Sequence, residues 1–564
     1  MPAHTLPASL HPVVARVLAA RDVLGAAELD LSLSGLLSPS TLRGIDAAVA
    51  LVIDAVDRRA RIVVAGDYDC DGATGVAVAV RGLRALGAAQ VDYVVPNRLT
   101  MGYGLSVELA EAAAAVTGAM GLLITVDNGI ASLAGVARAR ELGLRVLVTD
   151  HHLPGPELPA ADALLDPSQP DCAFASKALA GVGVMFYLLV AVRAALRARG
   201  AYRDRPEPDL GALLDLVALG TVADLVPLDR NNRILVAAGL QRIRAGRAHP
   251  GVLALLEVAG RRHREISTSD LGFALGPRIN AAGRLDDIRI GIRCLLCDDP
   301  HEALQLAREL DGINRQRREL QAQMSGQAQG QLEQGAGIGA FGVALFDEQW
   351  HEGVVGLIAA RLRESANRPA IAFAPAQQAG LLKGSARSVP GLHIRDVIAA
   401  VDAQAPGLIL RFGGHAMAAG LSLAQADLDE FRGRFDAACR SRLSPAQLER
   451  VLETDGPLTA AELTLDTVLA LERAGPWGQA MPEPVFEGEF EVQGARTVGA
   501  DALHVRYQLA PDGGPPLVAV DFNGAERMRG GGRVSLAYQL AINRWQGRES
   551  LELRILDLRG CAPD

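Results

Sequence analysis

The sequence predicts a multidomain α/β protein. A parallel-sheet domain is joined by a long helix to a smaller α/β domain, and a small β-barrel closes the C-terminal end. Three observations predict this. Strand-like and helix-like runs alternate from Arg61 onward, the pattern of a parallel sheet with right-handed crossovers. One uninterrupted helical stretch runs from His301 to about Glu333. After about Glu453 the pattern becomes short alternating strands separated by Gly and Pro turns.

Taken in order, residues 1–49 have weak helical periodicity and form an N-terminal extension. The runs RIVVAGD (61–67), QVDYVVP (90–96), GLLITVD (121–127) and LRVLVTD (144–150) are short buried strands. Helices Ala73–Leu86, Ser106–Ala115 and Leu133–Leu142 separate them, so residues 50–230 form the first domain. Residues 231–334 are a helical segment and the long connecting helix. On that helix Leu306, Leu310, Ile313, Leu320 and Met324 recur at spacings of 4, 3, 7 and 4, a single stripe of the kind that suits a connector rather than a buried element. The glycine-rich GAGIGAFG (335–342) opens a second α/β domain spanning 335–450. Within 451–564, the runs beginning at VFEGEFEV, LHVRYQLA, PLVAVDFN, RVSLAYQL and SLELRILD predict an antiparallel barrel, with the OB-fold as first candidate.

The chain has 564 residues, 49% hydrophobic and 21% charged, which excludes a disordered or fibrous protein. Net charge is −9, so a nucleic-acid partner has to be held by local basic patches. The only lysines are Lys177 and Lys383. The arginine excess either suits bidentate phosphate recognition or reflects coding bias. The cysteines are scattered, and the Cys294–Cys297 pair lacks the further ligands of a zinc site, so both are expected to be core thiols. Unpaired cysteines imply a reducing compartment. Met1–Leu10 lacks a signal-peptide pattern, and the longest apolar run, Gly181–Val192, is too short to span a bilayer. A cytoplasmic protein with no membrane association is expected.

The chemistry lies at the strand ends. Asp67, Asp69 and Asp71 follow the first strand, Asp127 the third, and Asp150, His151 and His152 the fourth. Carboxyl ends of strands in an open parallel sheet line one crevice. An Asp after one strand is often only a turn former or helix cap, but three strand ends converge here. So many carboxylates repel unless protonated or bridged by cations. Aspartates with one or two histidines suit Mn²⁺ or Mg²⁺, and two ions on shared carboxylates suit displacement at phosphorus.

These motifs, GDYDCDG, VDNG, TDHH and GTVADLVPL ending its acidic element at Asp224, resemble those of the DHH phosphoesterases, and FGGHAMAAG (412–420) resembles the GGH motif of the associated DHHA1 domain. PNRLTMGYG (96–104), GPRINAAGRLDD (276–287), WHEGVVGLIAARL (350–362) and the SARS tetrad (385–388) resemble the RecJ-type single-strand-specific 5′→3′ DNA exonucleases of that superfamily. The resemblance implies that Asp69, Asp71, Asp127, His151 and Asp224 hold two Mn²⁺ or Mg²⁺ ions, with Asp127 bridging. It implies further that Asp150 orients the adjacent imidazole and that His152 faces the scissile phosphate. The histidine that many relatives carry four residues before the first Asp of the pair is Ala65 here, so one ion is short of a nitrogen ligand, or Asp67 or water fills in.

By the same resemblance, Arg98, Arg278, Arg284, Ser385 and Arg387 bind the strand's phosphates, while Gly413, Gly414 and His415 let backbone approach one. NRQRR (314–318) either tracks a backbone or is a solvated face, and Tyr507, Phe522, Tyr538 and Trp545 are base-stacking groups or core aromatics. The implied activity is two-metal 5′→3′ hydrolysis of single-stranded DNA in repair and recombination, by a monomer working with a helicase and a single-strand-binding protein. The alternatives are a short-oligonucleotide or cyclic-dinucleotide phosphodiesterase, and a metal-less single-strand-binding module.

Overall fold

The computed structural model describes residues 5–97, 101–118, 120–545 and 547–560. Its first sheet has the order β2-β1-β3-β4-β5, with β1 Arg61–Ala65, β2 Gln90–Val94, β3 Leu122–Val126, β4 Arg145–Thr149 and β5 Ala163–Leu165. All its pairings are parallel. The strands read as continuous Val, Ile and Leu because both faces are covered by helices. The order sets β1, β3 and β4 side by side, so their carboxyl ends open onto one edge. Helix Cys70–Leu86 covers one face and packs on helices Gly181–Ala198 and Leu214–Ala223. Among the described residues, Gly181–Ala198 is the one unbroken helix long and apolar enough to cross a membrane. Its first turns are buried in the core of the catalytic body.

The connecting helix is Pro300–Glu333. Its apolar stripe is buried at both ends, by Leu306 and Leu310 against the first body and by Met324 and Ala328 against the second. The second sheet has the order β6-β7-β8-β10-β9, with β6 Val343–Phe346, β7 Ala370–Pro375, β8 Leu381–Arg387, β9 Arg411–Gly414 and β10 Ala418–Ala424. Only β6 and β7 run parallel in it; the other pairs are antiparallel.

The C-terminal strands are β11 Phe486–Val498, β12 His504–Pro511, β13 Leu517–Asp521, β14 Gly532–Trp545 and β15 Arg548–Gly560. They form a closed barrel in the order β11-β12-β13-β15-β14. One feature departs from the expected all-antiparallel barrel: β13 pairs parallel with β15. Hairpin β14–β15 inserts β15 between its partner and β13, and closure then forces that direction.

The N-terminal segment is not a loose extension. Helix Pro12–Ala19 packs on helix Leu465–Ala474, and the Arg21 guanidinium donates to both carboxylate oxygens of Asp455 at 2.6 and 3.0 Å. Both side chains are only 8% exposed. Arg21 also donates to the Pro482 carbonyl at 2.9 Å and lies over the Trp477 ring at 5.5 Å. A buried, bidentate, aromatic-stacked arginine of this kind fixes orientation as well as contact.

Candidate active site

The aspartates and His151 converge at the sheet edge. His151 Nε2 lies 2.9 Å from Asp127 Oδ1, 3.6 Å from Asp224 Oδ2 and 3.9 Å from Asp71 Oδ2. Asp224 caps the C-terminal end of helix Leu214–Ala223. Three donor groups overlap, Asp71–His151–Asp224, Asp67–Asp69–Asp127 and Asp127–His151–His152, each with ligand atoms within 4.8 Å of one another. Asp127 belongs to two of them. Ala65 is buried in the core, and Asp67 groups with Asp69 and Asp127.

Local folding explains the convergence. Asp69 caps helix Cys70–Leu86, accepting from the Gly72 N–H at 3.0 Å, so the helix cap and the candidate ligand are the same residue. Asp71 accepts from the Gly181 and Val182 N–H groups at 2.6 and 3.0 Å, at the positive N-terminal end of helix Gly181–Ala198. Asp127 has φ +64°, a left-handed conformation rare outside glycine. Gly181 permits it, since a Cβ there would fall 2.5 Å from Asp127 Cβ.

Burial first, and then the neighbouring Asp69 charge, raise the Asp71 carboxyl to about 7. Burial and the surrounding aspartates likewise hold Asp127 and Asp224 well above the usual carboxylate range. Divalent cations relieve such crowding, and carboxylates with imidazole suit Mn²⁺ or Mg²⁺. Among the described residues no thiol joins these groups.

Asp150 is buried and grips the histidine pair. It accepts from the His151 N–H at 2.7 Å and the Ile130 N–H at 2.8 Å, and its Oδ1 lies 2.7 Å from His152 Nδ1. It thus orients the His152 ring and touches His151 through its backbone. Burial would raise Asp150, but the hydrogen bond and charge of His152 outweigh it and leave the carboxyl below its ordinary value. Burial would lower His152, but Asp150, with Asp67 and Asp69, raises it to about 9. Burial and the His152 charge push His151 down to about 4, the neutral form a ligand requires. The Tyr103 hydroxyl sits 2.9 Å from His152 Nε2 and donates to the Asp127 carbonyl at 3.3 Å. From the second domain, the His415 ring stacks 6.3 Å from His152.

A second cluster surrounds the start of helix Val355–Ala366. Arg387 donates to Ser385 Oγ at 3.2 Å. A Cβ on Gly356 would lie 3.2 Å from Ser385 Oγ and 3.3 Å from an Arg387 nitrogen. Arg284 reaches the Gly353 carbonyl at 3.5 Å. Three segments distant in sequence thus bring arginine, serine and helix N–H groups together, an anion-binding combination. In the GGH loop, Gly414 has φ +142° and a Cβ would fall 2.4 Å from Ala419 Cα, whereas around Gly413 there is open space.

Other candidates lie elsewhere. Arg278 is buried in an ion pair with Asp311 at 2.8 Å and donates to the Ala274 carbonyl, so its charge ties two helices together and is not presented to a strand. Arg98 lies outside the described residues. In NRQRR, Asn314 is buried and accepts from Arg317, and Arg315 pairs with Asp311, so this run is only partly a solvated face. Tyr507 and Tyr538 are core residues of the barrel, whereas Phe522 is 52% exposed; the Trp545 side chain lies outside what is described. Cys294 is buried, but Cys297 is only half-buried, because it follows the last turn of its helix. Tyr103, Gly181 and Gly356 were not singled out in the sequence. Tyr103 and Gly356 lie inside quoted motifs and Gly181 opens the long apolar run, and only the fold brings each to a functional group.

Comparisons with known proteins agree with this architecture. Residues 61–221 match the DHH family N-terminal domain, 339–441 the DHHA1 domain and 454–557 the RecJ OB domain. The chain is 51% identical over 559 residues to the single-stranded-DNA-specific exonuclease RecJ of Dickeya dadantii, covering 98% of this chain and 96% of the relative. It is 49% identical to the RecJ of Escherichia coli, with the same coverage of both chains. The crystal structure of Thermus thermophilus RecJ in complex with Mn²⁺ superposes with a TM-score of 0.80 at 32% identity, covering 98% of this chain and 76% of that one. A Mg²⁺ complex of the same protein matches at 0.73 and 30%, covering 98% and 75%. Three domain matches in the order the fold requires, and near-full-length identity, establish that the chain belongs to the RecJ family.

Proposed function

We propose that this chain is a single-stranded-DNA-specific exonuclease that hydrolyses phosphodiester bonds from the 5′ end with Mn²⁺ or Mg²⁺. The observation that carries the reading is the pairing of two sites. The chain holds both a carboxylate–imidazole cluster built around Asp127 and a pocket of Arg284, Ser385 and Arg387 at a helix N-terminus. The His152 and His415 rings, 6.3 Å apart, bring the first and second domains together beside the cluster. The pocket suits a terminal 5′-phosphate, and the cluster suits the first internucleotide bond.

In this reading Asp69, Asp71, Asp127, His151 and Asp224, with Asp67 in the place of the missing histidine, hold two ions. The ions supply an activated water and charge neutralisation at phosphorus. His152, kept protonated by Asp150, donates to a phosphate oxygen as charge develops. The Tyr103 hydroxyl, 2.9 Å from Nε2 and 3.1 Å from Nδ1 of that ring, holds the imidazole until a phosphate oxygen takes its place at Nε2. Gly413 and Gly414 bring backbone close to the strand, and His415 faces His152 from the second domain. The additional strand-binding surface of the barrel at residues 454–557 favours a longer strand over a dinucleotide.

The division into residues 50–230 for chemistry, 335–450 for end recognition and 451–564 for strand binding belongs to the same proposal. So do action as a cytoplasmic monomer, with no membrane association, and cooperation with a helicase and a single-strand-binding protein. The test is hydrolysis of 5′- and 3′-labelled single strands, duplexes, RNA and dinucleotides under metal titration. Release of 5′ mononucleotides from single-stranded DNA alone is expected. Release from 3′ ends, or no metal dependence, overturns the reading.

A further inference from the structure

A large groove between the catalytic body and the barrel, of about 1500 Å³, carries an apolar wall that the reaction described above does not use. Phe273 and Leu225 both line it and are 82% and 65% exposed. Large apolar groups so open to water are informative when they cluster beside a functional centre.

Both side chains are displayed by unusual backbone. Phe273 sits in a π-helical turn, Leu271–Leu275, that leads into helix Gly276–Leu285. Such turns are rare and concentrate at functional sites. Leu225 has φ +61°, a strained conformation for a leucine. The two surfaces adjoin. A Cβ on Gly272 would lie 3.4 Å from Val222 Cγ1, and one on Gly276 3.0 Å from Ala223 Cβ. The π-turn is therefore packed on the last turn of helix Leu214–Ala223, which ends at Asp224. The wall begins one residue from a candidate metal ligand.

At its far side the groove is lined by two barrel arginines: Arg544, which pairs with Glu472 and Glu549 at 3.0 Å each, and Arg554. The Arg554 guanidinium lies 5.9 Å from the exposed Phe522 ring. An apolar wall at the metal centre, followed by arginines and another exposed ring, is the combination that single strands occupy, with bases on apolar faces and backbone along positive charge. The phosphate pocket is built from Arg284 of helix Gly276–Leu285 and from Ser385, Arg387 and Gly356 of the second domain. The groove begins instead beside Asp224, so a strand anchored at the pocket by its 5′ end and cut at the metal cluster would send its 3′ remainder toward this groove.

We propose that Phe273 and Leu225 form a base-stacking wall that holds nucleobases on the 3′ side of the scissile phosphate and so positions the strand for each cut. This rests on the exonuclease reading above. The residues act on substrate bases beyond the scissile bond, and the occupant is the DNA strand itself.

The experiment is a cycle between protein and substrate. Phe273→Ala, Phe273→Trp and Leu225→Ala are assayed with Mn²⁺ on a 5′-phosphorylated 20-mer and on 20-mers carrying one abasic site at successive positions from the second to the sixth nucleotide. Phe273→Ala is expected to raise KM on the intact strand roughly five- to 150-fold, the range for one stacked base, and Phe273→Trp to restore it. The penalty is expected to vanish on the strand whose abasic position faces the wall. A penalty of equal size on every abasic strand means a structural role and overturns the proposal. No penalty with any strand also overturns it, and leaves the wall as a surface for a protein partner. If the unmutated chain releases no nucleotide from any strand, the exonuclease reading fails, an outcome distinct from both.

Discussion

Gly181→Ala adds one methyl group at a residue that contributes no side chain to the site, and it is expected to disable the enzyme. The new Cβ would fall 2.5 Å from Asp127 Cβ, 2.7 Å from its Cα and 3.0 Å from Oδ1, where ordinary contact begins at 3.4 Å. About 0.9 Å of movement is therefore required. Neither partner yields easily. Asp127 sits in the narrow left-handed well, and the helix is held by the two N–H groups that bind Asp71. A displacement near 1 Å in a positioned group costs about 10²-fold in rate, or about 2.7 kcal/mol of barrier. The fold is expected to survive, because alanine gains about 1 kcal/mol over glycine within a helix, against about 1–3 kcal/mol for overpacking. The assay is kcat/KM for nucleotide release from a 5′-phosphorylated 20-mer, with a calorimetric Mn²⁺ titration and a thermal melt of the same preparation. Retention of activity and Mn²⁺ affinity within threefold of the parent would show that Asp127 is not held where catalysis needs it.

Further outcomes follow from the same geometry. Arg387→Ala and Arg284→Ala are expected to reduce the preference for a 5′-phosphorylated over an unphosphorylated end by one to two decades, from about 1.5–3 kcal/mol per charged hydrogen bond; competition assays check this, and equal losses on both substrates contradict the pocket. Because Asp150 holds His152 up at about 9, the imidazolium persists until pH passes that value. Asp150→Asn leaves burial to dominate, so the alkaline limb of kcat/KM should move toward neutral pH, and a profile from pH 6 to 10 that does not shift refutes the assignment. Asp71 is raised from 3.8 to about 7, so its folded state prefers the proton. That contribution is complete below pH 4 and is lost as pH rises through 7. Metal removal should therefore lower Tm more at pH 8 than at pH 5, and melts with Mn²⁺ and with chelator measure the difference.

The ligand cluster was legible because a parallel sheet converts sequence position into spatial position. A residue just after a buried strand must lie at one edge, and adjacency of β1, β3 and β4 does the rest. What sequence could not supply were the partners. Arg278 looks like any motif arginine until Asp311, a residue on another helix, takes its charge. The barrel aromatics alternate in and out, and closure of the barrel decides that Tyr507 and Tyr538 face the core while Phe522 does not. Phe273 lies in a run, LGFAL, with no polar residue to mark it. Its exposure depends on a local change of helical pitch that no hydrophobic period encodes. Tyr103 reached the site only through the return of its loop over His152.

The bond between Arg21 and Asp455 joins residues 434 positions apart. During synthesis the arginine emerges early and its carboxylate partner late, an interval of roughly 20–90 s at about 5–20 residues per second. Until then Arg21 has neither Asp455 nor the Trp477 ring, and the first helix has no Leu465–Ala474 to pack against. A nascent or prematurely terminated chain can therefore complete its metal-binding sheet while leaving this clasp open. Closing it reports only that synthesis has passed Trp477, before the barrel strands are made. Chains cut short before residue 455 should be conspicuous to proteases at their first 25 residues, long before any defect appears in the sheet itself.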